Sequence, residues 1–199
     1  MFLLCGSVIF AAESKPNAAP RGYVPKTSLA EQVLKVVISG KYRKEYEHFK
    51  EVPLEKMPNA CQEDCISAKE IYGNDVKTAS VTYIDLDSDG NAEMIVTYRH
   101  YWGNGVRSYD ILSKRNGEWV KSHEFHAVFW QPLKIGGKVG LFLDNKCGWT
   151  QRNYSFCEFK EGKLVPLVSI DLERYHNKED HRLTIQVKSK DEAEFTYLF

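Results

Sequence analysis

The chain has 199 residues, 43% of them hydrophobic, with 27 Lys and Arg against 27 Asp and Glu, a formal charge of zero. That length and composition suffice for one good-sized domain that folds without needing metals or bridges. The balanced charge argues against a nucleic-acid binder, which carries a basic stripe, and no run of like charges is long enough for a polybasic membrane anchor.

Residues 1–12, Met1 to Ala12, are apolar and small, and polarity begins at Glu13-Ser14-Lys15-Pro16. They read as the apolar part of a secretory signal, cleaved near Ala11 or Ala12 and too short to span a membrane. The expected localisation is therefore periplasmic or secreted. No Lys or Arg precedes the apolar run, as when a start codon is placed too far downstream. Lipidation at Cys5 and a buried N-terminal strand are the alternatives. Residues 13–27 hold Pro16, Pro20, Gly22 and Pro25 and form a flexible leader.

Residues 28–75 read as a helical segment. Ser28 and Glu31 make a capping box, Leu29, Val33, Val36 and Val37 follow at helical spacing, and Gly40 supplies a stop. Tyr42, Tyr46 and Phe49 recur at helical spacing and predict a second amphipathic piece, ended by Pro53. Residues 54–75 are less regular, and a turn or irregular loop is expected around Cys61 and Cys65.

From Val76 the period changes to two, which defines a β-domain over residues 76–199. Strand-like runs fall at 78–86, 93–102, 107–115, 118–128, 130–136, 139–146, 152–160, 163–172, 182–189 and 193–198. Asn116-Gly117, Gly136-Gly137 and Glu161-Gly162 separate them, and the first of these is a strong two-residue hairpin signal. A faint two-copy repeat aligns Gly90 with Gly137 and Trp102 with Trp149. Two copies are too few for a closed propeller. The expected fold is mainly β with an N-terminal α-helical segment: an antiparallel meander sheet, or a small β-sandwich with propeller-like blades.

Without Cys5, four cysteines remain, in two local pairs. In an exported chain an even number favours two disulfides, and four cysteines allow three connectivities. The local pairing, Cys61 with Cys65 and Cys147 with Cys157, is preferred. If residues 139–147 and 152–160 form a hairpin, Cys147 and Cys157 face each other across it, about 4.5–5.5 Å apart at Cβ. A zinc site is the rival.

Asp85, Asp87 and Asp89 alternate, Gly90 follows at once, and Glu93 completes a group of four acids. Like charges about 4 Å apart repel by roughly 1–4 kcal/mol, depending on the dielectric. No Lys or Arg lies between Tyr83 and Tyr98 to relieve this, so a cation is the natural counter-charge. All-oxygen ligands in a flexible loop favour calcium over magnesium. An EF-hand needs an acid at loop position 12, which here is Val96, and the flanks Tyr83-Ile84 and Met94-Ile95-Val96 are strand formers.

The loop instead resembles the calcium loops of FG-GAP and VCBS-type repeats, whose pattern is Asp-x-Asp-x-Asp-Gly-x-x-Asp/Glu followed by aliphatics. Asp85, Asp87, Asp89, Gly90, Glu93 and Met94-Ile95-Val96 match it place by place. The resemblance implies that Ca2+ is held by Asp85, Asp87, Asp89, Glu93 and the backbone carbonyl of Asn91. It covers residues 80–120, about a fifth of the chain.

His123-Glu124-Phe125-His126 places its histidines three apart in a strand, on opposite sides, which does not suit a zincin site. No nucleophile elbow or phosphate-binding glycine loop is present. Tyr101, Trp102, Arg107, Trp149 and Arg152 gather near two turns and give a composition suited to a protein or glycan partner. The expected function is an exported, non-enzymatic calcium-binding protein. The alternatives are an inhibitor or immunity-type protein that blocks a periplasmic or secreted enzyme, and a glycan-active enzyme.

Overall fold

A computed structural model describes residues 28–43, 46, 48–72, 76–98, 101–102, 105–148, 150–177, 180–189 and 192–198. The expected signal and leader lie outside these residues, as does Trp149.

Helix α1 (Leu29–Ser39) starts where the capping box predicts. The Ser28 hydroxyl accepts from the Glu31 amide at 3.1 Å, and Gly40 ends the helix in the left-handed conformation at φ 63°. Strand β1 (Lys50–Pro53) follows, then two short 3-10 turns and helix α2 (Gln62–Tyr72). Strands β2 (Thr78–Ile84), β3 (Glu93–Thr97), β4 (Tyr101–Trp102), β5 (Val106–Arg115) and β6 (Glu118–Ala127) come next. They are followed by β7 (Phe129–Ile135), β8 (Lys138–Lys146), β9 (Gln151–Lys160), β10 (Lys163–Asn177), β11 (Asp180–Ser189) and β12 (Glu192–Leu198).

The strands make two antiparallel sheets. In the first, β1 pairs β2, β2 pairs β3, and β5 lies between β3 and β6, with β4 paired to its N-terminal end. In the second, β7 to β12 pair in chain order. The expected mainly-β fold with an N-terminal helical segment is what forms. Strands β2, β3, β5 and β6 form one four-strand meander, and β7, β8, β9 and β10 another.

Three apolar clusters hold the layers together. Leu86, Ile95, Ile111, Phe125, Trp130, Leu141, Cys157 and Phe159 join the two sheets. Helix α1 covers the other face of the second sheet with Ala30, Val33 and Val37 against Phe142, Tyr154, Phe156 and Ile170. Helix α2 and the 3-10 turn before it cover the other face of the first sheet, with Cys61 of the turn and Cys65 and Ala68 of the helix against Val81, Met94, Val96 and Leu112. Strands sandwiched in this way are apolar on both faces, and every residue of β3 is buried. Each fully buried Leu, Ile or Val contributes about 1.5–3 kcal/mol.

The structure departs from the sequence reading at four places. The described residues from Tyr42 to Phe49 are not helical. Tyr42 joins the cluster under α1 while Tyr46 and Phe49 join the inter-sheet cluster, two destinations that one helical face cannot serve. Helix α2 occupies residues expected to be irregular, because Cys65 and Ala68, continued by Cys61 on the turn just before it, make a narrow apolar stripe at spacings of four and three. The expected strand 93–102 divides into β3 and β4. The segment 28–75 is also not a separate unit, since β1 pairs with β2.

The cysteines are the largest correction. Cys61, Cys65, Cys147 and Cys157 are all free. In the β8–β9 hairpin, Cys157 lies opposite Leu141, and the Cys147 amide bonds to the Gln151 carbonyl. Gln151 and Cys157 are six positions apart along β9, roughly 20 Å at about 3.3 Å per residue. Cys147 and Cys157 therefore cannot meet. Cys61 and Cys65 are buried thiols beside the Tyr98 hydroxyl, and burial pushes Cys61 up to about 11.

Candidate metal centre

Strands β2 and β3 pair from Ser80 with Thr97 to Ile84 with Glu93. The residues between them, 85–92, must reverse the chain at the end of the first sheet. Alternation decides which way their side chains go. Leu86 is 2% exposed and enters the inter-sheet core, while Asp85 is half-buried and Asp87 and Asp89 are exposed.

The aspartates curl the backbone. Asp85 accepts from the Asp89 amide through Oδ1 and from the Gly90 amide through Oδ2, both at 3.1 Å. Asp87 Oδ1 accepts from Asp89 N at 3.2 Å, and Asp89 Oδ1 accepts from Asn91 N at 2.7 Å. The curl takes Ser88 to φ 63° and Gly90 to φ 90°. Glycine suits the second position because left-handed backbone costs a side-chain-bearing residue about 1–2 kcal/mol.

The result is a convergence of oxygens. Asp85, Asp87 and Asp89 each offer one carboxylate oxygen, and these lie within 4.8 Å of one another. Calcium binds oxygen at about 2.3–2.6 Å, so two of its ligands stand at most about 4.6–5.2 Å apart. The three oxygens are thus a group that could hold a metal ion. Each oxygen that accepts a backbone N–H keeps a second lone pair for the ion. The donor set is hard and anionic, and fits Ca2+.

Glu93 lies outside this converging group. It is 4% exposed, and its Oε2 accepts from the Leu86 amide at 2.9 Å. Burial, a bond that favours its charged form, and the nearby charges of Asp87 and Asp89 leave its carboxyl above the usual range. Asp85, Asp87 and Asp89 form the converging group without it. Asn91 is exposed at the loop's exit.

Of the expected partner-binding residues, Arg107 and Arg152 are described with their side chains. Arg107 lies on β5 beside an aromatic cleft. Arg152 Nη1 is held 2.8 Å from Oδ2 of the fully buried Asp144. Tyr101 and Trp102 form β4, opposite Arg107 and Val106, and their side chains lie outside the described structure. His123 and His126 stand on β6, where burial draws His123 below its usual range.

Sequence reasoning missed two buried carboxylates, Asp110 and Asp144. Asp110 Oδ1 is 2.8 Å from Lys121 Nζ, which also reaches Asp64 at 3.3 Å and Glu124 at 3.5 Å. Burial pushes Asp110 up to about 6 despite that partner. No sequence signal marks either residue, because each is a lone acid in a strand whose partner is distant in the chain.

No protein-family model, curated protein or solved structure matches this chain. The likeness to FG-GAP and VCBS-type loops rests on Asp85, Asp87, Asp89, Gly90, Glu93 and the run Met94-Ile95-Val96.

Proposed function

We propose that this is an exported, non-enzymatic calcium-binding protein in which one Ca2+ braces the turn between β2 and β3. The observation that carries the reading is the convergence of Asp85, Asp87 and Asp89 oxygens to within 4.8 Å. Three carboxylates that close, in a loop with no Lys or Arg, repel one another until a cation neutralises them. The ion acts as a staple. It fixes the turn whose Leu86 is anchored in the core between the sheets, so its binding energy adds to the stability of both. Export rests on the apolar run Met1 to Ala12, and millimolar extracellular calcium sites of this kind need no high affinity.

The test is thermal unfolding of the full chain in calcium and in chelator. A ligand that binds only the folded state at 100 times its Kd stabilises by about 2.7 kcal/mol. Calcium should raise the melting temperature by several degrees, magnesium less, and Asp87→Ala should abolish the shift. Equal melting temperatures in calcium and chelator would dispose of the proposal.

A further inference from the structure

The hairpin of β5 and β6 turns on two residues, Asn116 and Gly117, between the paired Arg115 and Glu118. Asn116 stands at φ 53° and Gly117 at φ 85°, the twist that such a turn requires. Both residues are exposed, and no atom lies within 4 Å of where a Cβ on Gly117 would be. The Asn116 carboxamide is thus followed along the chain by an amide nitrogen that no side chain shields. Asp89-Gly90 is the acidic counterpart of this pair, and there the same atoms are engaged. The Gly90 amide donates to Asp85 Oδ2 at 3.1 Å, and Asp89 Oδ1 accepts from the Asn91 amide at 2.7 Å.

We propose that Asn116 is a site of spontaneous deamidation in the folded chain, brought about by attack of the Gly117 amide nitrogen on the Asn116 side chain. The nitrogen gives its proton to solvent and bonds to Cγ, and ammonia leaves as a succinimide closes. Water then opens the ring at either carbonyl, which leaves aspartate or isoaspartate. The net change takes up one water, releases one ammonia and needs no other reactant. The tip of a hairpin is where local opening costs least, so the turn can reach the attacking geometry without unfolding the sheet. The other described asparagines lack one condition or another. Asn59 and Asn91 are equally exposed, but Ala60 and Ala92 follow them and put a methyl beside the attacking nitrogen. Asn145 and Asn153 are half-buried within β8 and β9, where strand pairing holds the backbone extended. Asn104-Gly105 is the second Asn-Gly pair of the sequence, and Asn104 lies outside the described residues. The product carries a new negative charge beside Glu118 and, as isoaspartate, one more atom in the main chain of a two-residue turn.

The test incubates the full chain under native conditions at pH 6 and pH 8. Peptide mass mapping reads the amide-to-acid change at each asparagine, and enzymatic methylation counts isoaspartate. Asn116 should convert at least tenfold faster than Asn59 and Asn91 in the same sample. It should convert faster at pH 8 than at pH 6, because the attacking nitrogen must lose a proton. Gly117→Ala should slow the conversion of Asn116 at least fivefold. A rate at Asn116 no greater than at Asn59 and Asn91 overturns the proposal. So does conversion that is seen only in urea, or an undiminished rate in a folded Gly117→Ala. If that variant fails to fold, the comparison among asparagines within the native chain still decides.

Discussion

The backbone amide of Leu86 donates to Oε2 of Glu93 at 2.9 Å, across the neck of the acidic loop. The bond ties the first turn of the loop to the first residue of β3 and seats Leu86 in the core. It gives Glu93 a structural role whether or not an ion is bound. Glu93→Gln keeps an acceptor for Leu86 and removes a charge. It should therefore unfold within about 1 kcal/mol of the native chain in chelator. Glu93→Ala strands a buried amide, which costs about 1–3 kcal/mol. Urea unfolding of both variants in chelator checks this, and equal stabilities would show that the hydrogen bond contributes nothing.

The turn itself makes a second prediction. Gly90 stands at φ 90°, with no atom within 4 Å of where a Cβ would be. Any cost of Gly90→Ala is therefore conformational. It should lower stability by about 1–2 kcal/mol and weaken calcium binding, measured by calorimetry. An unchanged affinity would mean that the ligand oxygens do not depend on the curl.

Asp110 predicts a pH dependence. Its carboxyl sits under α2 and faces Lys121, Asp64, Glu124 and the Cys61 thiol, and burial raises it from 3.8 to about 6. A carboxyl that holds its proton more tightly when folded adds stability below its unfolded value. That stability is lost as pH rises through its folded value. The loss should run from about pH 4 to pH 6 and amount to about 3 kcal/mol, at about 1.4 kcal/mol per unit. Asp110→Asn should flatten that part of the stability curve measured by urea unfolding. A variant whose curve keeps the native slope would contradict it.

How much of this was legible in advance depends on the range of the signal. The hairpins were legible because their turns are local. Asn116-Gly117 and Glu161-Gly162 each take positive φ at both residues, as does Gly136-Gly137, the twist a two-residue hairpin requires. The capping box of α1 and the aspartate spacing are local in the same sense. The failures were matters of register and partner. Cys147 and Cys157 flank a turn in the sequence, but the hairpin tightens so that Cys147 meets Gln151. Helix α2 was hidden because the apolar stripe it shares with the turn before it contains two cysteines that also suit a bridge. Asp110 and Asp144 required knowing which cation the fold delivers to each.

Cysteine chemistry gives a direct check on the free thiols. Among the described cysteines, Cys147 is exposed and Cys61, Cys65 and Cys157 are buried. Burial raises all three buried thiols, Cys157 to about 12, and a protonated thiol is a poor nucleophile. Iodoacetamide at neutral pH should modify Cys147 first. The other three should react only after unfolding, without any reductant, as read by peptide mass mapping. Alkylation of Cys61 and Cys65 that needs prior reduction would establish a bridge between them.

Arg152 tests whether an apparent surface residue belongs to the fold. Its Nη1 lies 2.8 Å from Asp144 Oδ2, and its side chain is 32% exposed while that of Asp144 is fully buried. Tyr42 also bonds to Asp144, and Arg43 adds a second positive charge nearby. Desolvation still raises the Asp144 carboxyl, so the site keeps a charge there only through these partners. Removing one partner of a buried pair leaves the other uncompensated, at about 3–5 kcal/mol. The two deletions are not equivalent, however. Asp144→Ala leaves Arg152 free to turn toward water, whereas Arg152→Ala leaves a carboxylate that cannot move out of the sheet. Arg152→Ala should therefore cost more stability at pH 7 than its exposure suggests. The double variant should be no less stable than Arg152→Ala alone. Urea unfolding of the three variants measures this. Additive losses would mean that the pair is uncoupled, and would return Arg152 to the surface as a contact for a partner.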